Sequence, residues 1–225
     1  MIIADLRQFL ETMLLAAAAL LPIVNPLGGA PIYLAKTVDL TSEQHAMLSQ
    51  RVALNCFLLL LASALIGAYV LDFFGLSIPV VQVGGGLVVC SIAWALLNES
   101  DAPATLVQDA ARALTPGDLR KRAFYPLTMP LTVGPGSISV AITLGANQPK
   151  GARDAIVTAL GHTAGIAIVV IIVFICYRYA DAILRKFGDV GTVVISKLTA
   201  FILLCIGVQI VWNGASALLA SVSFK

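Results

Sequence analysis

Pro22-Ile-Val-Asn25-Pro26-Leu-Gly28-Gly29-Ala-Pro31 and, later, Pro126-Leu-Thr-Met-Pro130-Leu-Thr-Val-Gly134-Pro135-Gly136-Ser137 are the stretches on which the fold turns. Each lies inside an apolar run, and each places proline and glycine where a continuous helix wants neither. Proline lacks an amide proton and its ring collides with the preceding turn, so the helix stops or bends. Asn25 before Pro26 is also a good start for a new helix, with asparagine as N-cap and proline in the first turn. Gly134 before Pro135 reads the same way. Pro31 offers a second start for the first segment, which would leave Asn25 to Ala30 unwound.

Outward from these stretches, six apolar runs organise the chain: Leu10–Ala35, Val52–Val70, Ile78–Leu97, Ala123–Ala146, Ala155–Tyr177 and Thr192–Leu219. Each is near the roughly 20 residues that one bilayer crossing needs. Hydrophobic residues make up 59% of the 225 and charged residues 12%, about half the charge a soluble domain carries; mean hydropathy is +0.95. The fold class expected is therefore an all-α membrane protein of six transmembrane helices. A net charge of +2 is too small to suggest nucleic acid. Cys56, Cys90, Cys176 and Cys205 sit in apolar runs without Cys-x-x-Cys spacing, so they read as packing residues and no metal is expected. Arg7 ahead of Ala16 to Ala19 loosely imitates a secretion signal; Glu11 in the approach argues against one.

The runs divide into a first three-helix repeat over 1–97, a cytoplasmic connecting loop over 98–122 and a second three-helix repeat over 123–225. A short amphipathic helix is expected in the loop at Ala104 to Leu114. Pro26 aligns with Pro135, while Gln82 aligns with Lys197, Gly85 with Ala200 and Asn98 with Asn213. Three spans per half is odd, so the two repeats must be inverted relative to each other, as in many secondary transporters. Of the 14 Lys and Arg residues, Arg7, Lys150, Arg153 and Lys225 fall on the side of the termini. The other ten fall opposite, and the basic side is cytoplasmic. Both termini are thus expected to be periplasmic or external.

The breaks carry the expected chemistry. From Glu11 to Asn25 and from Arg122 to Gly134, helix rise gives roughly 21 Å and 18 Å against a core of about 30 Å. The first and fourth helices are therefore expected to be broken near the midplane, although either segment could re-enter without crossing. Amides freed at a half-helix start cannot face lipid, and they favour an anionic group. The substrate-binding candidates are Asn25, Pro26, Gly28, Gly29, Thr128, Thr132, Gly134, Pro135, Gly136 and Ser137, with Ser139 beside them. His162 and Lys197, ionisable groups in spans, and Gln82, the repeat mate of Lys197, are further candidates. His162 reads equally well as a neutral ring bonded to a neighbouring helix, and Lys197 as a snorkelling side chain. Gly84-Gly85-Gly86 reads as close helix packing. No Asp or Glu lies deep in a span, and no catalytic constellation appears, so neither an enzyme nor a cofactor is expected.

Over nearly its whole length the chain resembles the MarC family of bacterial inner-membrane proteins. The resemblance rests on Leu21-Pro-Ile-Val-Asn25-Pro26-Leu27, Phe74-Gly75-Leu-Ser-Ile78-Pro79, the Pro126 to Gly136 stretch, and Ile195-Ser196-Lys197 through Gly207, Gln209 and Asn213-Gly214. That family is similar to the LysE amino-acid exporter superfamily, which implies transport. Its members usually carry a basic residue at both positions matching Gln82 and Lys197; here the first is glutamine. The function expected is a transporter or exporter of a small polar or zwitterionic solute, the alternative a membrane scaffold or accessory subunit. Expected partners are the lipid bilayer, an unknown small-molecule solute and, as an open option, a second copy in a homo-oligomer.

Overall fold

The computed structural model describes residues 2–37, 40–98, 116–146, 149 and 151–222. Among them every regular element is helical: α1 (Ile2–Val24), α2 (Pro26–Ala35), α3 (Ser42–Phe73), α4 (Ile78–Asn98), α5 (Pro116–Arg122), a π-wound segment (Ala123–Thr132), α6 (Pro135–Ala146), α7 (Ala152–Arg178) and α8 (Ala180–Val222). Five helical runs are long and apolar enough to cross a membrane, and six if the bent pair around Gly134 is one span. The expected helix at Ala104 to Leu114 lies outside the described residues. Pro116 already opens α5, so helix begins earlier than the expected loop boundary.

Local chemistry sets the helix ends. Thr41 caps α3 in a reciprocal box: its Oγ1 accepts from the Gln44 amide at 3.3 Å, and Gln44 Oε1 accepts from the Thr41 amide at 2.9 Å. Gly75 ends α3 at φ 68°, and the Leu76 amide reaches back to the Leu71 carbonyl at 2.9 Å. That left-handed stop needs glycine. Pro79 then sits in the first turn of α4. The Phe74 to Pro79 stretch is thus a helix stop followed directly by a helix start.

Packing makes two bodies of contact. Ala16, Leu20, Val52, Leu127, Ile166 and Val173 are buried in a core shared by α1, α3, the π-wound segment and α7. Val89, Ala93 and Leu203 form a second core between α4 and α8. Those two helices are antiparallel and touch through glycine: a side chain on Gly86 would meet the Gly207 carbonyl at 2.9 Å, and one on Gly214 the Pro79 carbonyl at 2.6 Å. Gly85 and Gly86 are buried against neighbours, while Gly84 has open space around it. Leu14, Phe73, Trp94 and Trp212 are all more than half exposed, as side chains facing lipid are.

α1 and α7 run parallel. Asp5 pairs with Arg153 at the start of α7, and Gly29 lies against Tyr177 near its end. The first segment therefore runs the length of α7 and does not turn back. α8 begins at Ala180, well before the expected start at Thr192, because Asp181 opens a helix that stays continuous into the apolar part.

Candidate functional site

Asn25 is the hinge between α1 and α2. It sits at φ 48°, ψ 60°, and its side chain caps α2 with Pro26 in the first turn. Its Oδ1 accepts from the Gly28 amide at 3.3 Å, and its carbonyl accepts from the Gly29 amide at 3.0 Å. Pro31 lies inside α2 and does not start it. The amides expected to be free here are thus largely satisfied by Asn25 itself. Together α1 and α2 read as one apolar run of 32 residues, Ile3–Leu34.

The second break is built differently. Where the sequence predicts a half-helix, the Ala123–Thr132 segment has extended backbone at Tyr125 and Met129, and the peptide bonds before Pro126 and Pro130 are cis. The repeated Pro-Leu-Thr units fold alike. Thr128 donates to the Ala123 carbonyl and Thr132 to the Leu127 carbonyl, each at 2.7 Å and five residues back. The run then turns by 74° into α6. Pro135 starts that helix, Ser137 donates to the Gly134 carbonyl at 3.0 Å, and the Gly136 and Ser137 amides fall outside the helix's own bonding ladder.

The two breaks come together. A side chain on Gly136 would meet Val89 in α4 and lie 3.6 Å from Ile23, two residues before Asn25. A side chain on Gly28 would run into Thr199 of α8, and one on Gly85 would meet the Pro135 carbonyl at 3.1 Å. Around Gly134 only the Pro130 carbonyl is near, at 3.4 Å. Ser139, one turn into α6, is fully buried and its hydroxyl has no partner.

Their level can be placed along α7. Gly29 touches Tyr177, whose neighbour Arg178 closes α7. Asn25 is one turn, roughly 6 Å, from that level. The breaks lie nearer the Arg178 end of α7 than its middle.

Sequence reading missed Tyr177 and Tyr33. Tyr177 shares a hydrogen bond with Thr132 at 2.8 Å and stacks on Tyr33, with centroids 4.5 Å apart; Tyr33 donates to the His45 carbonyl at 3.2 Å. A tyrosine at a helix end reads as interfacial, so composition offers no sign of this buried column. Gln82 and Lys197 do not come together. Gln82 donates to Thr143 of α6 at 3.2 Å. Lys197 donates to the Leu97 carbonyl at 3.0 Å and closes the end of α4, where cations are favoured. His162 is buried, and its Nδ1 has no partner; the expected bond to a neighbouring helix is not made there. His162 lines a cavity of about 510 Å³ with Gln8, Thr12 and Thr158, away from both breaks. Among the described residues no cluster of metal-ligating side chains occurs.

Comparison with known proteins follows the same residues. The family model described as MarC family integral membrane protein matches residues 10–219. An inner membrane protein MarC of Salmonella arizonae is 30% identical over 204 residues, covering 89% of this chain and 92% of the relative. Its counterpart in Escherichia coli strain SMS-3-5 is 30% identical over 205 residues, with the same coverage. No solved structure matches the chain.

Proposed function

The chain belongs to the MarC family of integral membrane proteins, and we propose that it moves a small polar or zwitterionic solute across the bacterial inner membrane, with no catalytic step. The observation that carries this reading is the meeting of two interrupted helices, with the start of α6 against the end of α1 at Gly136 and Ile23. The start of a helix is a ready anion site, so the start of α6 at Gly136 and Ser137 suits a carboxylate. The buried Ser139 hydroxyl beside it lacks a partner.

We read the chain as two inverted three-helix repeats. Antiparallel α4 and α8 support this. So does the matching way in which α2 begins against α8, Gly28 on Thr199, and α6 begins against α4, Pro135 on Gly85. Interfaces between such repeats are where transporters place their substrates. In this reading the solute meets Asn25, Thr132, Gly134 and Ser137 on its way, and both termini face the periplasm.

One observation favours the scaffold alternative: Gly28 and Gly136 leave no room for even a methyl group, so the breaks are packed against their neighbours. Transport then requires the α6 start to part from α4 and α1, and the α2 start from α8. Metabolite profiling of vesicles with and without the protein separates the two readings. A transporter changes the level of one or a few solutes, and Asn25→Ala or Gly134→Leu removes that change while the protein still inserts. An unchanged solute profile supports the scaffold.

A further inference from the structure

Tyr177 sits where both breaks come up against α7. It is buried, and groups from two other elements close on it. From α2, Gly29 faces its hydroxyl end: a side chain there would lie 2.5 Å from the Tyr177 oxygen. Tyr33, one turn further along the same face of α2, stacks on the ring with centroids 4.5 Å apart and planes 15° from parallel. From the second break comes Thr132, whose hydroxyl is 2.8 Å from that of Tyr177. Gly29 lies just after the Asn25 hinge, and Thr132 just before Gly134. Each break therefore has its own contact with this side chain.

Hydrogen-bond accounting sets the direction of the Tyr177–Thr132 bond. A threonine hydroxyl has one proton, and Thr132 gives it to the Leu127 carbonyl at 2.7 Å. Tyr177 is therefore the donor and Thr132 the acceptor. The bond fastens the π-wound segment to α7 at the segment's last residue; that segment otherwise packs mainly against α3 and α5. Cys56 of α3 also comes up to Thr132, but a thiol is a weak donor and does not replace a phenol. Thr132 is buried, so without the phenol its lone pair has no water to turn to.

We propose that Tyr177 is a positioning residue that pins both breaks in their packed state, by its hydroxyl at Thr132 and by its ring at Gly29 and Tyr33, and that the helix starts part only on its release. α7 is unbroken from Ala152 to Arg178, so it is the fixed element that carries the pin. Pro135, at the start of α6, follows Thr132 closely in the chain, and Gly28, which packs on Thr199 of α8, is the neighbour of Gly29. A shift of either start thus pulls on Tyr177. The two parts of the pin are chemically separable, because phenylalanine keeps the ring and loses the bond. The purpose of the pin rests on the transport reading; its existence does not, and its test reads backbone opening, not solute movement.

Hydrogen exchange of the full chain in lipid nanodiscs, read by mass spectrometry, measures that opening segment by segment. Loss of one buried hydrogen bond shifts an opening equilibrium by about fivefold. Tyr177→Phe should therefore speed exchange over residues 123–137 about fivefold, while α2, α4 and α8 keep the wild-type rate. Thr132→Val should do at least as much, since it also frees the Leu127 carbonyl. Thr132→Ser keeps the hydroxyl and should exchange like wild type. The double variant Tyr177→Phe with Thr132→Val should exchange no faster than Thr132→Val alone, because the shared bond is lost only once. Tyr177→Leu loses the ring as well and should loosen α2 in addition. The proposal is overturned if Tyr177→Phe leaves residues 123–137 unchanged, if α4 and α8 speed up equally, if Thr132→Ser matches Thr132→Val, if the effects of the two single variants add, or if a well-folded Tyr177→Leu leaves α2 at the wild-type rate. The expected exchange pattern together with an unchanged vesicle solute profile would keep the pin and remove transport.

Discussion

Asn25 holds a conformation that few residues accept. Its φ of 48° and ψ of 60° are left-handed, a region that costs most side chains roughly 1–2 kcal/mol and glycine nothing. It also caps α2 through Gly28, and losing an N-cap to alanine costs about 0.5–2 kcal/mol, but to glycine only a few tenths. Asn25→Ala should therefore destabilise the protein by about 2 kcal/mol or more, while Asn25→Gly should lie close to wild type. Thermal unfolding in detergent orders the three; equal melting points for Ala and Gly would refute the assignment of Asn25 as a strained cap. The glycines at the second break divide in the same spirit. Gly134 has open surroundings and Gly136 does not, so Gly134→Ala should fold normally and Gly136→Ala should lower the melting point and the yield. The Asn-Pro and Gly-Pro pairs were legible in the sequence because proline and N-cap chemistry act over one turn. Tyr177 and Thr132 were not, since their contact joins residues 45 positions apart and nothing local marks it.

At the scale of elements, α4 and α8 touch through glycine along their length, with Lys197 bonded to the end of α4. Gly86 and Gly207 let the two backbones approach until a side chain on Gly207 would lie 2.9 Å from the Cys90 amide nitrogen. In lipid, such close packing replaces the hydrophobic drive that water supplies elsewhere. A backbone atom cannot step aside as a side chain can. Gly207→Val should force the pair apart and lower the melting point and the monodisperse yield, whereas Gly84→Ala, with nothing within 4 Å of the added carbon, should leave both unchanged. Matching losses from the two variants would mean that the glycines serve flexibility and not contact. Hydropathy made the spans legible because each must satisfy its own backbone in lipid. It was silent on the Ala123–Thr132 segment, where extended residues before Pro126 and Pro130 replace helical winding without changing composition. The cavity at His162 was equally hidden, as it draws on three helices that meet only in space.

For the molecule as a whole, the charges at the two ends fix a prediction about its orientation. The Asp5–Arg153 pair places the beginnings of α1 and α7 at one end. Lys197, bonded to the Leu97 carbonyl, places the basic stretch of α8 and the end of α4 at the other. Arg178 closes α7 at that same end, and Arg120, Lys121 and Arg122 follow α4 across the connecting segment. Ten of the 14 basic residues are read to the second end and four to the first. Lysine and arginine near span ends are retained on the cytoplasmic side, so the end bearing Arg178 and Lys197 should be cytoplasmic and both termini external. A reporter active only in the cytoplasm should be silent when fused after Lys225 and active when inserted within the 98–122 segment. The packed breaks would then sit toward the cytoplasm, and the His162 cavity, at the level of Gln8 and Thr158, toward the outside. Thr12→Cys should accordingly react with a membrane-impermeant thiol reagent added outside intact cells, in a background where the four native cysteines are replaced by serine or alanine. Strong cytoplasmic activity after Lys225, or labelling of Thr12→Cys only from the outer side of inverted vesicles, would reverse the orientation.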